Sequence, residues 1–275
     1  MKATTKRRSA PIKWHGGKHY LAERIVGLMP KHVHYVEPFF GGGAVLFRKP
    51  GLMIDRHSEV INDRYGELTN FWRVLQSAAD FEEFKKRVSL TPFSKVEFER
   101  ACNVVDGTST DRAIAFFIRY RQSRQGLGRD FATMSRSRTR RGMNEQVSSW
   151  LSAIEGLDEA HERLQRVVIY CEDARQVIER EDSAHTFFYC DPPYLSSTRV
   201  VKQAYTCEMN DEDHAGLLST LAKLQGKFAL SGYRCDLYDS VASKHGWQRT
   251  DIEIDNKASS QKTKPKKVES VWTNY

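Results

Sequence analysis

Val33-His34-Tyr35-Val36-Glu37 is a short apolar run that closes on an acid and is followed by Pro38-Phe39-Phe40 and three glycines, Gly41, Gly42 and Gly43. Branched and aromatic residues in so short a run read as a strand. Glycines directly behind a strand leave backbone bare where a Cβ would stand, so another group can approach closely. Ala44 opens a short helix. Leu52-Met53-Ile54-Asp55 reads as a second strand, ending in an acid eighteen residues after Glu37. Strand, glycine turn, helix and acid-tipped strand open a parallel α/β sheet that accepts an adenosine-containing ligand, the acid taking hydrogen bonds from ribose hydroxyls. This pattern alone does not separate NAD from S-adenosylmethionine.

Periodicity organises the rest of the chain. Leu21, Ile25 and Leu28 predict a helix over 18–29 that stops at Pro30, and Val60, Ile61, Leu68, Phe71 and Val74 predict a long helix over 58–77. From about 80 to 165 the pattern is helical, interrupted by an arginine- and glycine-rich stretch, 121–142, with no apolar period, which reads as a mobile loop. The α/β rhythm resumes with strand Val167–Cys171, helix 174–180, strand Thr186–Cys190, helix 211–224 and strand Phe228–Ser231. Strands follow near 248–254 and 268–273, with a polar loop over Asp255–Lys267. The expected organisation is a catalytic domain formed by 1–65 and 166–275, with an inserted, mostly helical subdomain over 66–165.

Composition excludes several classes. Hydrophobic residues make up 40% of the 275, enough for a sizeable core, and no apolar run nears the roughly 20 residues that cross a bilayer. The basic N-terminus leads into Pro11-Ile12-Lys13-Trp14 and not into a signal core, so a cytoplasmic protein without membrane contact is expected. Five cysteines, odd in number and without metal-ligand spacing, read as reduced, with Cys171 and Cys190 in apolar strands; no metal is expected. The net charge of +8 is unevenly spread. Between Arg119 and Arg141 lie eight arginines and a single acid, Asp130, a run that repels itself unless counter-charges such as phosphates attend it.

The most chemically specific feature is Asp191-Pro192-Pro193-Tyr194, directly after the apolar run Thr186–Cys190. Two prolines remove two backbone donors and fix φ, so the strand ends abruptly in a rigid turn. The turn presents one carboxylate, the Pro192 carbonyl and one aromatic ring. Two acceptors can each take one N–H of an exocyclic amine while the tyrosine stacks on the ring that carries it. An aromatic amine is a poor nucleophile because its lone pair is delocalised. Holding both N–H bonds out of the ring plane favours a tetrahedral nitrogen able to attack an electrophilic methyl group.

Five motifs occur in order: Pro11–Lys18, Val36–Gly43, Ile54–Asn62, Tyr170–Asp173 and Tyr189–Tyr194. Together they resemble the Dam-like D12 class, the α-group of DNA adenine-N6 methyltransferases, over essentially the whole chain. The resemblance implies a Rossmann-like, S-adenosylmethionine-dependent methyltransferase fold, with a mixed, mostly parallel sheet flanked by helices. It implies a site-specific enzyme acting on an adenine flipped out of double-stranded DNA, in restriction-modification or a related setting, in a bacterial cell or phage. It implies S-adenosylmethionine contacts at Trp14, Lys18, Glu37, Pro38, Phe39, Gly41, Gly43, Asp55, Asp173 and Asp191, catalysis by Asp191, Pro192, Pro193 and Tyr194, and target recognition within 66–165. A monomer is expected.

Arg119-Tyr120 and Gly126-Leu127-Gly128-Arg129 resemble the family's recognition hairpin, with departures at Gln122, Ser123 and Gln125. The expected DNA contacts are Arg119, Arg121, Arg124, Arg129, Arg136 and Arg138; arginine pairs naturally with guanine or phosphate and glutamine with adenine. Rival readings are methylation of cytosine N4 or of an RNA amine, and a DNA-binding relative without catalysis.

Overall fold

The computed structural model describes residues 9–50, 57–198, 207–254 and 267–275. In chain order these form α1 (Ala22–Leu28), β1 (His34–Glu37), α2 (Ala44–Arg48), β2 (Ser58–Asn62), α3 (Gly66–Gln76), α4 (Ala78–Ser89), α5 (Lys95–Cys102) and α6 (Ser109–Gln122). The short strands β3 (Thr139–Arg140) and β4 (Met143–Asn144) lead to α7 (Glu145–Glu155), α8 (Leu157–Leu164), β5 (Val168–Tyr170), α9 (Ala174–Arg180) and β6 (Thr186–Cys190). The chain closes with α10 (Asp211–Leu221), β7 (Lys227–Gly232), α11 (Asp236–His245), β8 (Gln248–Ile254) and β9 (Lys267–Thr273). The described residues divide into two compact units. One falls in Met1–Leu28, Gly41–Ile54 and Tyr65–Cys171, the other in Met29–Phe40, Asp55–Arg64 and Glu172–Tyr275.

The second unit is built on strands in the order β2-β1-β6-β7-β9-β8. β2, β1, β6 and β7 run parallel to one another, while β9 is antiparallel to both β7 and β8. This is the mixed, mostly parallel Rossmann-like sheet read from the sequence. β6 is buried at all five positions, as a central parallel strand covered on both faces must be. Helices α9, α10 and α11 supply apolar faces through Val177, Ile178, Leu217, Leu218, Leu221 and Tyr238. Asn210 and Asp213 form a reciprocal capping box that satisfies the first donors of α10.

The first unit is mostly helical around an aromatic core. Phe71 lies 5.6 Å from Phe116 and 6.1 Å from Phe117, and Phe117 lies 5.2 Å from Trp150. The longest helix, α6, starts on a Thr108–Asp111 capping box and buries an unbroken stretch from Ala113 to Ile118.

Three expectations need correction. Residues 58–62 form strand β2, parallel to β1 (Val36 opposite Val60), and not the first turns of a helix, which begins only at Gly66. Val60-Ile61 suits either period, and buried Glu59 and Asn62 hide the strand's two-sided burial. The stretch 121–142, read as a loop without regular structure, ends α6 and then carries the hairpin strand β3, paired with β4 through Arg140 opposite Met143. Its turn residues, Arg141 and Gly142, both have positive φ (58° and 74°), the geometry that matches strand twist in a two-residue hairpin. Cys171 is exposed just beyond β5, whereas Cys190 is buried within β6. The expected second strand Leu52–Asp55 and most of the polar loop over Asp255–Lys267 lie outside the described residues.

Candidate active site

Parallel register decides what shares an edge. Glu37 stands opposite Ile61, and Val36 stands opposite Phe188. The carboxyl ends of three neighbouring strands therefore carry three acids: Asp63 just past β2, Glu37 at the end of β1 and Asp191 just past β6. Glu37 is 2% exposed and accepts a 2.6 Å hydrogen bond from the Tyr35 hydroxyl. Burial, with Glu37 beside it, drives that hydroxyl's pKa well above its ordinary value, so Tyr35 remains a donor.

Asn62 stitches this edge together. Its amide nitrogen donates to the Pro38 carbonyl (2.9 Å) and the Glu172 carbonyl (3.1 Å), and its carbonyl oxygen accepts from the Glu172 backbone N–H (2.9 Å). The Phe40 N–H donates to the Asn62 backbone carbonyl at 2.9 Å. One buried carboxamide thus holds both the loop leaving β1 and the turn before α9. In that turn Asp173 caps α9, accepting from the Arg175 backbone N–H at 2.9 Å and pairing with its guanidinium at 3.1 Å. These bonds lower the Asp173 pKa.

The Asp191–Tyr194 turn leaves a rigid strand. The Tyr189 hydroxyl lies 2.9 Å from Ser231 Oγ on the neighbouring strand β7. Pro192 is buried and Tyr194 is 6% exposed. The Tyr194 hydroxyl donates to the Glu269 carboxylate on β9, and its ring meets Tyr233 edge-on, 4.8 Å between centroids at 75°. Burial, then nearby Asp191 and Glu269, push the Tyr194 pKa well up.

In the first unit the glycine loop is shaped by Trp14. A Cβ on Gly41 would come within 2.9 Å of Trp14 Nε1, and one on Gly42 within 2.6 Å of Trp14 Cβ. Gly43, at φ 71°, enters α2. Trp14 is half-buried, its ring 5.0 Å from Tyr120 and 6.2 Å from Phe116, and Lys18 is buried with Nζ donating to the Gly16 carbonyl at 2.8 Å. Read from the residues alone, Trp14 would be a surface aromatic and Lys18 a helix-start lysine.

The candidate DNA contacts separate by environment. Arg124, Arg129, Arg136 and Arg138 are exposed, Arg138 lying 3.7 Å from Glu145. Arg121 donates to the Ser149 carbonyl and, at 3.1 Å, to Ser149 Oγ; burial lowers its pKa to about 10. Arg119 sits 5.7 Å above its neighbour Tyr120. Of the three departures in this stretch, Gln122 and Ser123 are buried and spend their side chains on backbone. Gln122 bridges Pro92 and Ser94, and Ser123 bonds the Tyr120 carbonyl and Gly128 N–H. Gln125 is exposed at φ 57°.

Sequence reasoning missed Asp63, Asn62, Tyr233 and Glu269. For Asp63 a signal exists, an acid one residue beyond the apolar pair Val60-Ile61, but it is weaker than that at Asp55, which follows its apolar run directly; Asp55 lies outside the described residues. Nothing local marks Glu269, whose partner is 75 residues away.

The family model for D12 class N6 adenine-specific DNA methyltransferases matches residues 14–254, and the chain belongs to that family. It is therefore an enzyme whose substrate is adenine in DNA. A DNA adenine methylase from Vibrio cholerae is 27% identical over 203 residues, covering 70% of this chain and 68% of the relative. A type II methyltransferase, M.MjaIII of Methanocaldococcus jannaschii, is 26% identical over 263 residues, covering 84% and 86%. A DNA N-6-adenine-methyltransferase of Escherichia phage P1 is 29% identical over 192 residues, 66% of this chain and 24% of that protein. Among the described residues, no helix is long and apolar enough to cross a membrane and no cluster of His, Cys, Asp and Glu could hold a metal ion.

Proposed function

We propose that the chain, acting as a monomer, transfers a methyl group from S-adenosylmethionine to N6 of an adenine flipped out of double-stranded DNA. The observation that carries this is the row of carboxylates, Asp63, Glu37 and Asp191, at the carboxyl ends of adjacent strands β2, β1 and β6. Acceptors in a row suit a ligand rich in hydroxyl and amino donors, and open parallel sheets bind ligands at this edge. When bound, S-adenosylmethionine supplies a sulfonium-activated methyl group. Asp63, at this edge, accepts from the ribose hydroxyls, a part that the sequence pattern assigns to Asp55, outside the described residues. Glu37, Pro38 and Phe39 line the β1 exit, held by Asn62, and Asp173 steadies the following turn. Trp14, Lys18, Gly41 and Gly43 are the cofactor contacts assigned to the first unit.

Asp191 and the Pro192 carbonyl accept the two N–H bonds of the target amine and hold the nitrogen for in-line attack. Pro193 keeps the turn rigid, and Tyr194 stacks on the base. Flipping costs about a few kcal/mol, which these contacts offset. Residues 66–165 form the target-recognition subdomain, with 1–65 and 166–275 catalytic. Exposed Arg124, Arg129, Arg136 and Arg138 carry the phosphate and base contacts, while Arg121 clamps α6 to α7. Asp191→Ala should abolish tritiated-methyl incorporation into plasmid DNA while DNA binding survives; activity within a few-fold of wild type overturns the assignment. Digestion of the product to nucleosides, with mass detection of N6-methyladenosine, tests the base.

A further inference from the structure

The geometry points to Glu269, on β9, as the residue that positions Tyr194 for the target base. The inference rests on the reading of Tyr194 as the stacking ring. A phenol ring on a fixed backbone has two freedoms that matter for stacking: the direction of its long axis and its rotation about that axis. The hydroxyl lies on the axis, so anchoring it fixes direction. Glu269 does this: its carboxylate, 5% exposed, accepts the Tyr194 hydroxyl proton in a charge-assisted hydrogen bond. Rotation is fixed separately by Tyr233, whose ring meets that of Tyr194 at 75°. The main chain at the base of the side chain is held by Pro192 and Pro193.

The register explains how Glu269 arrives there. β9 runs antiparallel to β7 with Ser270 opposite Gly232, so one further step along the ladder puts Glu269 beside Tyr233, just past the end of β7. A parallel strand there would reach this edge with its carboxyl end; the antiparallel β9 brings an early residue instead. A buried carboxylate is costly unless well bonded, and here it receives the tyrosine hydroxyl. Burial, with Asp191 and Glu269 nearby, keeps Tyr194 protonated, so its ring meets the base as a neutral phenol.

Single-turnover methyl transfer at saturating plasmid DNA and S-adenosylmethionine tests this, with calorimetric S-adenosylmethionine affinity and thermal melting as controls. Glu269→Ala should slow transfer about ten- to hundred-fold, the loss typical of a misplaced reacting group, while cofactor affinity stays within about two-fold. Glu269→Gln, which still accepts the hydroxyl proton, should restore most of the rate. In a Tyr194→Phe background, Glu269→Ala should add less than about two-fold, because its route of action is already gone. An equal loss in both backgrounds, or a normal rate for a folded Glu269→Ala enzyme, overturns the inference. Tyr194→Ala separates the two ideas. If it collapses transfer while Glu269→Ala does not, only the positioning role falls; if it leaves transfer intact, the stacking role falls and the positioning role with it.

Discussion

Asn62 shows how much a single carboxamide can organise. It bonds the buried Pro38 carbonyl and both backbone groups of Glu172, which are partly buried. Asn62→Ala should cost about 1–3 kcal/mol, the range for stranding a buried donor or acceptor, seen as a lowered melting temperature. The same variant should raise the KM for S-adenosylmethionine more than it lowers kcat, since it loosens the β1 exit and not the Asp191 turn. Equal effects on both parameters would place Asn62 nearer the chemistry than its bonds indicate. Lys13 carries a residue-scale prediction of different sign. Burial, reinforced by Arg121, lowers its pKa from 10.5 to about 8, while its Nζ donates to Gln146 at 2.8 Å. Between about pH 8 and 10.5 the unfolded chain holds this proton more tightly than the folded one, so this group's contribution to stability rises with pH. Lys13→Met should flatten that rise in denaturant titrations across the window.

At the scale of elements, the arginine-rich stretch sorts into framework and surface. Arg121 bonds Ser149 on α7, whereas Arg141 makes a two-pronged pair with Glu155 at 2.8 and 3.0 Å, and that counter-charge relieves part of the self-repulsion within the protein. Arg124→Ala or Arg136→Ala should weaken DNA binding and each reduce the slope of log K against log salt by about 1. Arg121→Ala should leave that slope alone and lower the melting temperature, because it empties a buried site between α6 and α7. Arg138, exposed but 3.7 Å from Glu145, should fall between these extremes. The sequence pattern alone could not make this division: eight arginines look alike until their neighbours are known. Elements with strong local signals were legible, α9 and β6 to the residue, because caps and prolines mark their ends. β2 was not, since a short parallel strand with buried Glu59 and Asn62 shows neither alternation nor a clean apolar run.

For the whole molecule, the +8 charge and its clustering suit a polyanionic substrate, and membership of the D12 adenine methyltransferase family agrees. What the sequence determined by itself was whatever depends on neighbours along the chain. Asp191 to Tyr194 is a rigid, acceptor-bearing turn in any fold, because proline removes donors and fixes φ wherever it stands. The glycine triplet likewise announces close approach of another group, which turns out to include the Trp14 side chain. What only the tertiary structure decided was which acids share an edge and what anchors the tyrosine. Asp63 joins Glu37 and Asp191 because β2 pairs parallel with β1 over 58–62, and Glu269 reaches Tyr194 because β9 returns antiparallel beside β7. These strands are joined by long connections and not by tight turns, so their register is decided by pairing between distant segments, where a shift of one residue turns every side chain to the other face.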